Sequence, residues 1–376
     1  MKPRIPRLRL SSLPGAEIFP LAVPGESRVC NPSIAISDRG VFCIIRAVNY
    51  DLDRNGRVLI PPPEGFQSSN WFAELDSNLR ITRLDPIDDS VVGIDRQRWN
   101  RLEDCRLFRW KNDWWFTATW VLHDGPVTCQ IALCRLQGSK VVEWHLLPSP
   151  IGAQAEKNWM PCVEGEQLKW IYWLDPMQVL THRDDGLFYE RLGRCGRLDE
   201  WAGSSALVRY RGHWLCVVHA KRTASRNVVY AHRFVELDDD FTITRISPRL
   251  TLEGEEIEFC GGLCLTGEQA ILSYGVWDRH SRIMRVDLSE IEAMLRPYRL
   301  PQPLAVAISD FRHMMRPWLR HRWLRQPGKQ LRAIGARLRG RFGPPGVVGL
   351  SGLTISVAQY ADLAMQLTRQ CISLTA

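Results

Sequence analysis

Residues 101–122 read RLEDCRLFRWKNDWWFTATWVL, and the fold is decided by how often this arrangement returns. Its second half, 113–122, is rich in Trp, Phe, Thr and Val and reads as a β-strand. Its first half packs two carboxylates and two guanidiniums into 101–106, at the start of another strand. Neighbouring side chains of a strand point to opposite faces, so one of Glu103 and Asp104 is expected to face a channel while the other braces the structure. Arg106, two positions after Asp104, is expected on the same side, holding the Asp ionised or binding an anion beside it.

Working outward, 41–48, 127–136, 169–174, 213–220, 227–237, 270–276 and 281–288 also read as strands bounded by turn residues. The first convincing helix is 289–298. Polar strand-opening segments recur at Asn31-Pro32-Ser33, Glu103-Asp104-Cys105-Arg106, Lys157-Asn158-Trp159, Gly203-Ser204-Ser205 and Phe259-Cys260-Gly261-Gly262. They are 72, 54, 46 and 56 residues apart, the span of a four-stranded blade with its loops. Polar turns recur in any all-β chain, but a sandwich has no such long period. The expectation is an all-β, five-bladed β-propeller over 27–300 whose polar openings converge on a central channel. A short N-terminal arm (1–26) precedes it, and a basic, helical C-terminal appendage (301–376) follows.

The chain has 376 residues, 45% hydrophobic and 24% charged, which is globular composition. It shows neither an 18-residue apolar run nor the apolar core of a secretory signal. Eleven cysteines without a CxxC pair argue for reduced thiols in a cytoplasmic protein, and against a disulfide framework or a zinc site. The net charge is +8, from 49 Lys/Arg against 41 Asp/Glu. Fifteen of the cations and one of the acids lie in 1–16 and 311–376, leaving 34 against 40 in the body. A nucleic-acid-binding domain spreads positive charge over its folded surface, so no nucleic-acid partner is expected. Between 311 and 342 the cations are interleaved with Trp318, Trp323, Leu331, Ile334 and Leu338. That pattern suits a helical cap on the propeller or a peripheral anchor on an anionic membrane surface.

The stretch Leu-Glu-Asp-Cys-Arg-Leu-Phe resembles the Gly-x-Glu-Asp-Pro-Arg signature of glycoside hydrolase family 130, the five-bladed mannoside phosphorylases and their relatives. Further landmarks come in the family's order: Asn31-Pro32 before the strand ending in Arg46, Lys157-Asn158, Gly203-Ser204-Ser205 before His219, and Tyr274-Gly275-Val276-x-Asp278. Arg101 and Cys105 depart from the family's Gly and Pro. The resemblance implies Asp104, with Glu103, as the catalytic carboxylates. It implies a phosphate or donor site from Arg46, Arg106, Lys157, His219, Lys221 and Tyr274. The sugar ligands would come from Asn31, Asn158, Trp159, Asp175, Ser204, Glu258 and Asp278.

These residue types suit inverting glycosyl transfer, where one carboxylate handles the proton and converging cations hold a phosphate. For each cation a surface salt bridge is the plain alternative. Trp110, Trp114, Trp115 and Trp120 could stack on sugar rings or fill gaps between blades. Neither a glycine-rich nucleotide loop nor a metal-ligand cluster is evident, so no metal and no cofactor are expected. The function expected is a glycosyltransferase or glycoside phosphorylase acting on a mannoside-like glycan acceptor, with a sugar phosphate or sugar nucleotide as donor. The alternatives are a glycoside hydrolase, which needs a second carboxylate such as Glu258 to activate water, and a non-catalytic sugar-binding propeller.

Overall fold

The computed structural model describes residues 5–53, 55–59, 67–93, 101–122, 128–153, 155–183, 186–191, 198, 200–224, 227–298, 347–350 and 353–356. Two compact units divide the chain, Met1–Pro301 and Gln302–Ala376. The first is an all-β propeller with one short α-helix among its described residues, Leu288–Met294; it begins one residue before the expected 289–298 and stops short of its end, where Arg296–Pro297 is a strand instead.

Four sheets are four-stranded and antiparallel throughout. The first runs in chain order through Val29–Ser37, Gly40–Val48, Ser68–Leu75 and Ile81–Pro86. The second uses Arg101–Trp110, Asp113–Leu122, Thr128–Gln137 and Lys140–Leu147, and the third Met160–Glu164, Gln167–Leu174, Met177–Arg183 and Gly186–Arg191. The last joins Glu258–Thr266, Gln269–Val276 and His280–Asp287 to a strand from the other end of the chain, Glu17–Leu21, which pairs antiparallel with His280–Asp287. Residues set apart as an N-terminal arm thus supply its outer edge.

The count of five such blades is corrected to four. The 202–251 segment enters an eight-stranded sheet instead. Ser204 and Ser205 split its first strand into Ala202–Gly203 and Val208–Tyr210, with the Ser205 hydroxyl taking the Val217 amide at 2.9 Å. Pro248, which has no N–H to give, splits its outer strand into Ile243–Ile246 and Leu250–Thr251. Each outer half recruits a further short strand, Arg296–Pro297 for the first and Leu8–Arg9 for the second.

The core lies between the sheets. Phe42, Phe72, Leu107 and Phe116 pack with the partly buried Trp114 and Trp120 between the first and second sheets. Trp110, Trp115, Trp159 and Trp170 fill the space between the second and third. The tryptophans considered as sugar platforms are therefore packing residues. The nine cysteines among the described residues are buried.

In the second unit, the described residues form an antiparallel hairpin, Val347–Leu350 with Leu353–Ser356. This corrects the helical reading at those positions, where a glycine-rich, β-branched sequence suits strands better than a helix. The basic amphipathic stretch 311–342 lies outside the described residues. Among the described residues, no helix is long and apolar enough to cross a membrane.

Candidate functional site

Three of the five polar openings are β-bulges. The ladder register shifts between Cys30 and Ser33, between Glu103 and Arg106, and between Cys260 and Gly262. Asn31 and Asp104 sit in these bulges with φ of 45° and 52°, the left-handed region that Asn and Asp enter more readily than most residues. Asn158, in a fourth opening, has φ 63°. A bulge re-aims side chains, and here it cancels the alternation expected for Glu103 and Asp104. Both carboxylates meet the same guanidinium.

That guanidinium belongs to Arg46, which is 2% exposed. It donates to Glu103 Oε1 at 2.8 Å, to Asp104 Oδ1 at 3.4 Å, to the Tyr50 hydroxyl at 3.2 Å and to Ser68 Oγ at 2.9 Å. Burial works against its charge, but Glu103 and its other neighbours outweigh burial and hold its pKa above the ordinary value. Asn31 Nδ2 donates to Asp104 Oδ1 at 2.8 Å and reaches Asp278 Oδ1 at 3.5 Å. The Tyr50 hydroxyl is 3.5 Å from Asp278 Oδ2. Burial pushes the Asp278 carboxyl up to about 6. Arg46 opposes that shift, while Asp104 and Glu103 add to it.

A second cluster adjoins the first. Arg106 is 3% exposed and forms no ion pair among the described residues. Its Nε donates to the Ser204 carbonyl and its Nη1 to the Asp104 carbonyl at 2.5 Å, while its guanidinium carbon stands 5.1 Å from the Phe259 ring centre. Its buried Nη2 has no partner among the described residues. Burial lowers the Arg106 pKa, against the pull of Asp104. His219 Nδ1 lies 3.0 Å from Ser204 Oγ, and its ring packs against Tyr230 and Phe259. Burial, with the nearby Arg106 charge, takes His219 down to about 3, so the ring is neutral near pH 7. His219 can therefore offer a hydrogen bond but not the positive charge expected of it.

The structure thus brings Asn31, Arg46, Glu103, Asp104 and Asp278 into one group, and Arg106, Ser204 and His219 into another beside it. Four other candidates lie elsewhere. The Tyr274 hydroxyl donates to Glu253 at 2.6 Å from within the core. Both Glu258 oxygens are taken by the amides of Leu252, Glu253, Gly254 and Glu255 at 2.7–3.0 Å. Trp159 is buried and donates to Glu156 at 3.1 Å, and Asp175 accepts the Leu198 amide at 2.7 Å. Each is a packing or loop-organising residue by its contacts. Lys157 and Lys221 are exposed and Asn158 is half-buried; Lys221 Nζ lies 5.7 Å from the Tyr230 ring centre.

Sequence reasoning missed Tyr50 and Tyr230, and took Phe259 only as part of a strand opening. Tyr50 follows Arg46 by four residues in the loop beyond its strand, where no periodicity marks it. No group of His, Cys, Asp and Glu among the described residues could hold a metal ion.

No family model matches the chain, and no curated protein does. Among solved structures it is similar to a β-1,2-mannobiose phosphorylase from Listeria innocua, at 13% identity over 75% of this chain and 94% of that one, with a TM-score of 0.48. It is similar also to a mannose phosphorylase from Leishmania mexicana in complex with phosphate, at 13% identity over 73% and 87% of the two chains, with a TM-score of 0.45. A third is a structure of the mannoside phosphorylase family that contains hydrolases targeting β-1,2 mannosidic linkages in Candida mannan, at 13% identity, 73% and 87% coverage and a TM-score of 0.47. The resemblance is to glycoside hydrolase family 130.

Proposed function

We propose that the protein is a carbohydrate-active enzyme transferring a glycosyl group on a mannoside-like glycan, with a phosphate-activated sugar as donor or product. The observation that carries this reading is the setting of Asp104. Its Oδ1 is anchored by Asn31 and Arg46, whereas its Oδ2 takes no hydrogen bond among the described residues and the side chain is 20% exposed. An acid–base carboxylate needs this asymmetry, with one oxygen fixed and the other open to the reacting oxygen.

Arg106 supplies the anion-binding charge, since a buried guanidinium that has, among the described residues, an unpartnered N–H and no carboxylate partner suits a phosphate oxygen. Arg46, already holding four groups, orients the carboxylates instead. Exposed Lys157 and Lys221 are the remaining cations for a mobile phosphate. Glu258, with four amides on its oxygens, is a poor base for water, which favours phosphate over water as the acceptor.

The test is incubation with β-linked mannobioses, with and without inorganic phosphate, alongside thermal-shift screens of mannose 1-phosphate and sugar nucleotides. In phosphorolysis a phosphate oxygen bonds to C1, the glycosidic C–O bond breaks, and the departing oxygen takes a proton. Release of mannose 1-phosphate, lost by about 10²-fold or more in Asp104→Asn, supports the reading. Sugar released without phosphate makes the protein a hydrolase. Binding without turnover, unchanged in Asp104→Asn, makes it a sugar-binding propeller.

A further inference from the structure

We infer that the hairpin of residues 51–59 is a wall across one side of the mouth of the site, limiting how large a glycan can lie beside Asp104. The inference deepens the proposed function, on which its bearing on glycans rests, by giving this hairpin a part in choosing the substrate.

The sheet topology places the hairpin. In an antiparallel sheet that runs outward in chain order, the inner strand begins at the face where the second strand turns into the third. The polar openings therefore share one face with three connections. These are the 51–59 hairpin, the turn that joins His213–Ala224 to Asn227–Leu237, and the 252–257 turn that leads into the last sheet.

The hairpin is built to hold its shape. Leu52 and Val58 form an antiparallel bridge. The Asp53 amide donates to the Arg57 carbonyl at 2.8 Å, and the Gly56 amide donates to the Asp53 carbonyl at 2.9 Å. The Asp53 carboxylate takes the amides of Asn55 and Arg57 at 2.8 and 2.9 Å. At the root, Arg28 donates to both Asp51 oxygens at 2.7 Å, a bidentate pair that fixes direction as well as contact. Tyr50, the residue before that clamp, takes an N–H of Arg46 at 3.2 Å within the carboxylate cluster.

The tip reaches the other cluster. A Cβ on Gly56 would lie 3.3 Å from Val228 Cγ2 and 3.3 Å from Ile257 Cδ1. With φ at 66°, Gly56 makes the turn without strain and lets the tip close on both side chains. Each of the two lies two residues before a ring of the Arg106 cluster, Val228 before Tyr230 and Ile257 before Phe259. Val228 and Tyr230 share one face of their strand. The Tyr230 ring stacks on His219 at 5.8 Å, and Arg106 lies over Phe259 at 5.1 Å. The hairpin thus starts at the carboxylates and ends beside the Arg106 cluster, passing over the start of the last sheet. A segment anchored at both ends bars that side of the mouth to a bulky glycan.

The test labels the site itself. Cys195 and Cys371, which lie outside the described residues, are replaced by Ser, and the nine described cysteines are buried. Asp104→Cys then puts a thiol where the side chain is 20% exposed. Its reaction with N-ethylmaleimide is compared with that of a fluorescein maleimide, with the hairpin intact and with residues 53–57 replaced by Gly-Gly. A barrier that opens only as a minor state is open roughly 0.1–10% of the time, so its removal should raise the bulky-to-small rate ratio by about tenfold or more. An unchanged ratio would overturn the wall. If the shortened protein fails to fold, Gly56→Leu, which must lift the tip from Val228 and Ile257, decides in the same assay. With Asp104 restored, turnover of a β-linked mannotetraose relative to mannobiose should rise as the hairpin is shortened. Raised labelling with no mannoside turned over removes the proposed function and leaves the wall. Turnover with unmoved labelling does the reverse.

Discussion

The main-chain oxygen of Asn158 lies 2.2 Å from the point that a Cβ on Gly203 would occupy. The left-handed turn of one polar opening is thus seated on the glycine of the next. The same device recurs where a Cβ on Gly261 would lie 2.3 Å from the Pro32 carbonyl oxygen. The landmark glycines are contact points between neighbouring sheets, and a methyl group there meets backbone rather than a side chain that can turn away. Gly203→Ala should therefore lower stability by about 2 kcal/mol, the usual effect of overpacking a rigid site. Urea unfolding reads this directly; an unchanged midpoint would mean that the contact is loose.

Arg46 neutralises two carboxylates from within the fold. Arg46→Met leaves Glu103 and Asp104 with a buried excess of negative charge and should cost about 3 kcal/mol at pH 7.5. Acid should narrow the deficit, because protonation removes the uncompensated charge. Denaturation at pH 7.5 and pH 5 tests both parts, and a deficit equal at the two values would refute the charge argument.

His219 and His232 face each other across a strand pair, and burial takes each down to about 3. A histidine with a depressed native pKa binds fewer protons folded than unfolded between about 3 and 6.5. Stability is then lost as pH falls through that window, by about 2 kcal/mol per histidine at pH 5. Asp278, with its raised pKa, works the other way between roughly 4 and 6. His232→Gln keeps an acceptor for the Cys260 amide and should flatten part of the acid loss. Thermal melts from pH 7 to 5 would show this, and parallel curves for the two proteins would count against it.

Glu258 gathers four amides of the 252–255 turn. Glu258→Ala strands those donors and should cost about 3 kcal/mol, with Glu258→Gln recovering part. Hydrogen exchange at Leu252, Glu253, Gly254 and Glu255 should accelerate in Glu258→Ala. Unaltered exchange there would return Glu258 to the list of free carboxylates.

The strands were legible because β-rich runs such as 113–122 and 227–237 stand between clear turn residues, and the structure places strands at Asp113–Leu122 and Asn227–Leu237. The eight-stranded sheet was not, since its short pieces depend on two interruptions, at Ser204-Ser205 and Pro248, and on partners from both ends of the unit. Within the site, Asn31, Glu103 and Asp104 were readable from the recurring openings, whereas Arg46 entered only through the family resemblance. Period-two alternation misplaced Glu103 relative to Asp104, because a bulge has no signature in spacing alone. Glu258 and Tyr274 were candidates through the family resemblance, yet their partners, the 252–255 amides and Glu253, are set by a loop whose course the sequence does not announce.

The pairing of Leu21 with Ser281 and of Glu17 with Arg285 has a consequence for synthesis on the ribosome. Glu17–Leu21 precedes its partner by about 260 residues, roughly 13–50 s at ordinary elongation rates. During that interval the strand carries unpaired N–H and C=O groups while three four-stranded sheets are made. Nascent chains are then open to capture by one another at this edge. Its sheet is complete only when His280–Asp287 arrives, so Glu17–Leu21, made before the other three strands of that sheet, waits longest for a partner.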